Sequence, residues 1–301
     1  MPVLTGPTQL TPLLSNEAVA RLERLRLNSS RRFTDKRRGE HVTGRGGTSI
    51  EFSDYRNYVS GDDVRFVDWN IFARLHRPYL KLYRQEEEMH VVLLVDASTS
   101  MLFEDKLDMA RRLATALGIM GLFGTERVSV YALGHSAAGA QVLAPCTGRA
   151  SMMKLFRAVE GLEGGGAEPL EVGLEAFLRR HTGRGVAVIL SDFLTFGDLS
   201  RAGNRLFGVG LEVWGIQVLG PTEIDPDVTS DIRLVDGETR DTLDATCNAD
   251  LLRLYQEYRA DHERHIETLC RQRAGRFVTI SAAADVDAVL FDLLRRRGWV
   301  R

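Results

Sequence analysis

The sequence predicts an α/β fold: a doubly wound, mostly parallel sheet with one antiparallel edge strand, preceded by an N-terminal extension. Three observations carry this. From Met89 onward, short apolar runs alternate with segments of helical apolar spacing, the rhythm of strand and helix units that build a mostly parallel sheet. The run VVLLV, residues 91–95, is apolar throughout and is followed by turn formers, as a central strand covered on both faces should be. The stretch VYALGHSAAGAQVLAP leaves too few residues between its apolar arms for a crossover helix, so it supplies an antiparallel pair.

The elements follow in chain order. Residues 1–46 form a basic N-terminal arm. Its section Arg21–Arg45 holds nine Arg or Lys against three acids, and only Glu17–Leu27 has helical apolar spacing, through Val19, Leu22 and Leu25. Residues 47–88 are a charged and aromatic extension packed on the main domain. There apolar and charged residues alternate around the turn signal SGDD, which suggests short extended pieces or a hairpin-like excursion. Residues 89–301 are the α/β domain. Its strands are expected at 89–95, 127–133, 139–144, 186–191, 211–219 and 276–280, and its helices at 106–123, 152–159, 170–180, 199–207, 251–273 and 285–297. The helix at Lys106–Phe123 places Leu107, Ala110, Leu113, Leu117 and Met120 on one face. An irregular segment from about residue 221 to 251 contains LVDGETRDTLD, whose Asp-Gly pair suggests a tight turn.

Composition narrows the function. The 301 residues, 44% hydrophobic and 27% charged, describe a soluble globular chain long enough for a sizeable core. A formal net charge of -2 gives no general attraction to nucleic acid or anionic membrane. No apolar stretch reaches the roughly 18 residues of a membrane span, and MPVLTGPTQLTPLL lacks the sections of a signal peptide, so a cytoplasmic protein is expected. Cys146, Cys247 and Cys270 are odd in number and far apart, which fits reduced thiols.

The chemistry concentrates after the first strand of the α/β domain. Asp96 ends an apolar run, with Ser98 and Ser100 at alternate positions. A carboxylate at the end of a buried strand is costly unless hydrogen-bonded, paired or bound to a cation. In a sheet of this kind ligands collect beyond the carboxyl ends of the strands, and Asp192, after the run VAVIL, reaches the same rim. Carboxylates and hydroxyls together suit a hard divalent cation such as Mg2+, which keeps several waters. The other reading is local capping, in which Asp96 and the serines only satisfy loop backbone.

DASTS resembles the DxSxS signature of von Willebrand factor type A domains. The resemblance implies a metal-ion-dependent adhesion site completed by an Asp, matched by Asp192, and by a Thr after glycines. In GGGAEPLEVGLEAF that Thr is replaced by Ala167, which removes one hydroxyl ligand, and Glu168 beside it is the candidate substitute. The preceding stretch widens the match. Arg56, Tyr58, Gly61, Asp62, Asp63, Arg65, Asp68, Trp69, Ala73 and Arg74 fill the pattern R-x-Y-x-x-G-D-D-x-R-x-x-D-W-x-x-x-A-R of the bacterial family called domain of unknown function 58. The similarity spans about residues 30–300 and resembles the family's short, soluble branch. It implies a non-enzymatic adaptor for a MoxR-type AAA+ ATPase acting on a client protein. Arg56, Asp62, Asp63, Arg65, Asp68 and Arg74 are the candidate partner-binding set; a structural belt of locally paired ions is the alternative.

Three other functions leave weaker marks. A haloacid dehalogenase-type phosphotransferase needs a second carboxylate two residues after its Asp, and Ser98 holds that place. No GK[ST] phosphate loop is present. His262, His265 and Cys270 in DHERHIETLC lack a fourth ligand for zinc, and RRFTDKRR lacks the interleaved aromatics of an RNA-binding motif.

Overall fold

The computed structural model describes residues 9–29, 34–35, 50–86, 89–134, 140–195, 197–226, 231–235, 242–246 and 249–301. The chain divides into two compact units, Met1–Arg31 with Met89–Arg301, and Arg32–Glu88.

In the smaller unit, strands β1 (Thr34–Asp35), β2 (Ile50–Asn57) and β3 (Tyr79–Glu86) form an antiparallel sheet in the order β1-β3-β2. The alternation between residues 50 and 86 is therefore that of paired strands, yet the connection is not a tight hairpin. It contains a 3-10 turn, Val64–Phe66, and a helix, α2 (Trp69–Leu75). Side chains that look like free charges in the sequence start both. Asp63 accepts from Arg65 N at 3.0 Å, and Asp68 accepts from the N–H groups of Asn70 and Ile71 at 2.9 and 3.2 Å, satisfying amides that a helix start leaves open. Gly61 turns the chain with φ +103°, a conformation glycine adopts without steric penalty.

The larger unit begins with a helix, α1 (Asn16–Leu22), capped by Ser15 Oγ on Ala18 N. The helix ends earlier than its apolar spacing suggests, because the chain turns so that Leu27 bridges Val300. Leu14, Ala18, Val19, Leu22 and Leu27 are buried, so this part of the N-terminal segment is core. The rest of the basic arm, including most of RRFTDKRR, lies outside the described residues, as do Cys247 and the Asp236-Gly237 turn.

Six strands form the main sheet: β4 (His90–Asp96), β5 (Arg127–Leu133), β6 (Ala140–Cys146), β7 (Gly185–Ser191), β8 (Leu211–Leu219) and β11 (Arg276–Ser281), in the order β11-β8-β7-β4-β5-β6. All neighbours are parallel except β5 and β6. Strands β9 (Asp231–Val235) and β10 (Thr242–Thr246) make a separate antiparallel pair. Every residue of β4, β7 and β8 is buried, which explains the unbroken apolar runs within β4 and β7; in β8 the buried Glu212 and Gln217 interrupt the run.

Helices cover both faces. On one lies α3 (Lys106–Phe123) with α1 and α4 (Met152–Glu160); on the other are α5 (Leu170–Leu178), α6 (Leu199–Gly208) and α8 (Ala249–Arg271). The short α7 (Pro221–Ile224) follows β8, and a helical run through Val286–Ala288, Val289–Leu293 and Leu294–Arg296 closes the chain. α3 is buried nearly all round, and close approach is built into it. A Cβ on Gly118 would sit 2.7 Å from Leu155 Cδ2, and one on Gly121 2.7 Å from Val128 Cγ2.

Strand order places the site. From β4 the chain moves to β5 and β6 on one side, then returns to β7 on the other side of β4. The carboxyl ends of β4 and β7 therefore flank the point where the winding reverses, the crevice in which doubly wound sheets bind ligands.

Candidate functional site

Asp96 closes β4 and Asp192 follows β7, so the two carboxylates meet at that reversal. Asp96 is 4% exposed. Its Oδ1 accepts from Ser98 N at 2.9 Å and its Oδ2 from Ser191 Oγ at 2.5 Å. Burial pushes its carboxyl pKa up, and the nearby Asp192 pushes it further; the bonds from Ser191 and Ser98 oppose the rise. Ser98 and Ser100 turn their hydroxyls toward one another, 3.0 Å apart. Asp192 Oδ1 accepts from Leu194 N at 3.1 Å, and Gln217 Nε2 holds the Asp192 carbonyl at 2.8 Å.

The glycine-rich loop before α5 reaches the same place. Gly165 and Gly166 donate to the Ala97 carbonyl, and Thr99 bonds the Gly166 carbonyl through its N–H and its hydroxyl. Ala167 is exposed. Glu168 is anchored through its N–H to the Gly134 carbonyl, while its Oε2 is buried with no hydrogen-bond partner among the described residues. Such an atom is costly unless something satisfies it. Asp96, Ser98, Ser100, Glu168, Asp192, Glu171 and Glu223 all line one cleft of about 280 Å³.

Three participants have no reading from the sequence. Ser191 buttresses Asp96. Lys106, the first residue of α3, is fully buried, and its Nζ donates to Asp192 Oδ2 at 2.8 Å and to Glu223 Oε1 at 2.7 Å. Burial works against its charge, but the attraction and hydrogen bonds of the two carboxylates prevail and raise its pKa. Glu223, on α7, also accepts from Gly220 N at 2.7 Å. A signal for Lys106 does exist in the sequence. A lysine in the first turn of a helix opposes the helix dipole and needs a compensating partner.

The donor set, carboxylates and hydroxyls only, fits a hard cation of the Mg2+ kind. Asp96, Ser98, Ser100 and Asp192 would hold it, with Glu168, beside Ala167 and lining the same cleft, as a further candidate. Among the described residues, no three His, Cys, Asp or Glu side chains gather around one point, so the serine hydroxyls would be needed.

The six charged residues of the smaller unit are brought together differently. Arg56 makes a bidentate pair with Asp62, both contacts 2.7 Å, and Asp62 also accepts from Val59 N. Arg65 grips Asp63. Asp68 pairs with Lys81 at 3.0 Å and accepts from Tyr55 Oη; Lys81 holds its carboxyl below the usual range, against burial. Arg74 is exposed on α2. Elsewhere, His262 Nε2 bonds the Phe193 carbonyl, and Cys146 and Cys270 are free thiols. The buried Cys270 thiol is pushed up to about 12 by desolvation.

The model of the family described as "Protein of unknown function DUF58" matches residues 54–267. This chain belongs to the DUF58 family. Uncharacterized proteins of Mycobacterium bovis and Mycobacterium tuberculosis are each 30% identical to it over 293 residues, covering 93% of this chain and 90% of theirs. Among solved structures, the conserved hypothetical protein BatB from Bacteroides thetaiotaomicron is 14% identical, with a TM-score of 0.44 over 70% of this chain and 97% of that one. A von Willebrand factor type A protein from Catenulispora acidiphila is 17% identical, with a TM-score of 0.43 over 71% and 43%. No helix among the described residues of this DUF58 chain is long and apolar enough to cross a membrane.

Proposed function

We propose that this DUF58 chain is a non-enzymatic protein-interaction module whose docking point is the cleft at the winding reversal. Asp96, Ser98, Ser100 and Asp192, with Glu168, hold a divalent cation there. The cation, when bound, supplies an open coordination position that takes a carboxylate from a partner, so that binding depends on the cation. The partner class is a MoxR-type AAA+ ATPase in the cytoplasm, for which the chain serves as adaptor to a client protein. One observation carries this reading: two carboxylates and two hydroxyls from separate loops face one cleft beside a buried, unsatisfied Glu168 oxygen.

Phosphotransfer is disfavoured by Ser98, whose hydroxyl partners Ser100 where that chemistry needs a carboxylate. Tagged protein, wild-type and Asp96→Asn, is used to retain partners from lysate of its own source in Mg2+ and in chelator, with identification by mass spectrometry. An AAA+ ATPase retained by wild-type only in Mg2+, and not by Asp96→Asn, is the expected result. Retention indifferent to chelator and to the variant removes the cation from the reading. Retention of nucleic acid that falls steeply with salt and survives chelation replaces it with binding through the basic arm.

A further inference from the structure

Lys106 puts a permanent positive charge where a cation is to bind. Its side chain is 1% exposed and its Nζ is shared between Asp192 and Glu223. The two partners differ. Asp192 is itself 4% exposed in its side chain, next to Asp96 at the centre of the cleft, whereas Glu223 is 19% exposed at its edge. Glu223 is also fixed independently of Lys106, because its other oxygen accepts from Gly220 N. The turn that carries it is fastened too: Thr222 donates to Glu104 through both its N–H and its hydroxyl, at 3.1 and 2.8 Å.

A lone carboxylate pair in this enclosed space would repel, and an unpaired buried charge is strongly destabilising. Lys106 removes that penalty when nothing else is bound. The same ammonium repels any second cation within a few ångströms and occupies one of the two Asp192 oxygens.

Building on the cation site proposed above, we infer that Lys106 is a resident competitor for the divalent cation, with Glu223 as its second seat. Asp192 belongs to Lys106 in the empty cleft. When Asp192 turns to a bound cation, Lys106 stays with Glu223, whose position does not depend on the exchange. The arrangement offsets the buried charge of Asp192 in the empty cleft and lowers the cation affinity of the cleft, so that a carboxylate brought by a partner becomes part of the stable complex.

The test uses the full chain and Mg2+ alone, read by calorimetric titration and by the rise in melting temperature with Mg2+. Lys106→Met is expected to bind Mg2+ at least about tenfold more tightly than wild-type, since a nearby positive charge is removed. Glu223→Gln is expected to bind several-fold more weakly, since Lys106 then has only Asp192. A structural lysine predicts no such opposition: both variants would weaken binding or leave it alone, and that result overturns the inference while the cation site stands. If Lys106→Met does not fold, Lys106→Gln, which removes the charge but keeps a hydrogen-bonding end, decides, and unchanged or weaker binding in it overturns the inference. Failure of wild-type and both variants to bind Mg2+ overturns the cation site itself.

Discussion

Lys106 Nζ and Asp192 Oδ2 meet 2.8 Å apart, both side chains buried, at the carboxyl edge of the sheet where its winding reverses. The contact joins the start of one helix to the end of a strand 86 residues later, so it ties the two sides of the cleft. Asp192→Ala removes the more buried of the two carboxylates that compensate Lys106. Loss of a partner from a buried ion pair costs about 3 to 5 kcal/mol; with Glu223 still in place the expected loss is at the low end, about 3 kcal/mol. Urea unfolding of the two proteins measures it, and equal midpoints would show the pair to be structurally idle.

Asp96→Asn separates the fold from the site. The amide oxygen can still accept from Ser98 N–H at the Oδ1 position, while the amide nitrogen donates to Ser191 Oγ, whose hydroxyl then accepts instead of donating. Burial and Asp192 already work against the charged form of Asp96, so a neutral side chain is tolerated there. The melting temperature without Mg2+ should stay within a few degrees of wild-type. The stabilisation that wild-type gains from Mg2+, about 2.7 kcal/mol at a hundred times the dissociation constant, should vanish. A variant that still gains stability from Mg2+ would exclude Asp96 from the ligand set.

Gly134, at the end of β5, has φ +93°, and a Cβ there would lie 2.8 Å from Ser98 N. Its carbonyl also accepts the Glu168 N–H. One glycine thus lets the serine loop and the Glu168 loop close on each other. Gly134→Ala forces a side chain into an unfavourable backbone region and against main chain, with an expected cost of about 2 kcal/mol or more. It should also weaken Mg2+ binding by displacing Ser98. Unaltered Mg2+ titration in a folded Gly134→Ala protein would separate the site from this approach.

The frame of the site was legible in the sequence for a physical reason. Strands such as His90–Asp96 and Gly185–Ser191 are buried on both faces, so the apolar runs within them are continuous and their ends are marked by turn formers. Asp96 and Asp192 stood out because each is a carboxylate directly after such a run. Glu168 could be placed only through the family pattern, in which it neighbours an absent Thr. Asp63 and Asp68 were harder. A capping aspartate and an ion-paired one look alike in a charged stretch, and α2 was hidden behind them. Lys106 and Glu223 lie on different elements 117 residues apart, and no local pattern links a lysine to a distant carboxylate. Only the strand order brings them together.

His90, at the opposite end of β4 from Asp96, makes stability depend on pH. It is 2% exposed, with Nε2 2.9 Å from Ser129 Oγ and its ring 5.0 Å from that of His181. Burial, followed by repulsion from His181 and Arg127, lowers its pKa to about 4, and burial lowers His181 as well. The unfolded chain takes up a proton near pH 6.5 while folded His90 stays neutral until about pH 4. Between those values the unfolded state binds more protons, so stability falls as the pH falls, by up to about 1.4 kcal/mol per pH unit from this group. Above about pH 6.5 its contribution is flat. The urea midpoint should therefore drop between pH 7 and pH 5, and His90→Gln should remove most of the drop. His181, lowered in the same direction, leaves a residual slope in that variant. An identical pH profile for wild-type and His90→Gln would mean that the buried ring does not govern acid sensitivity.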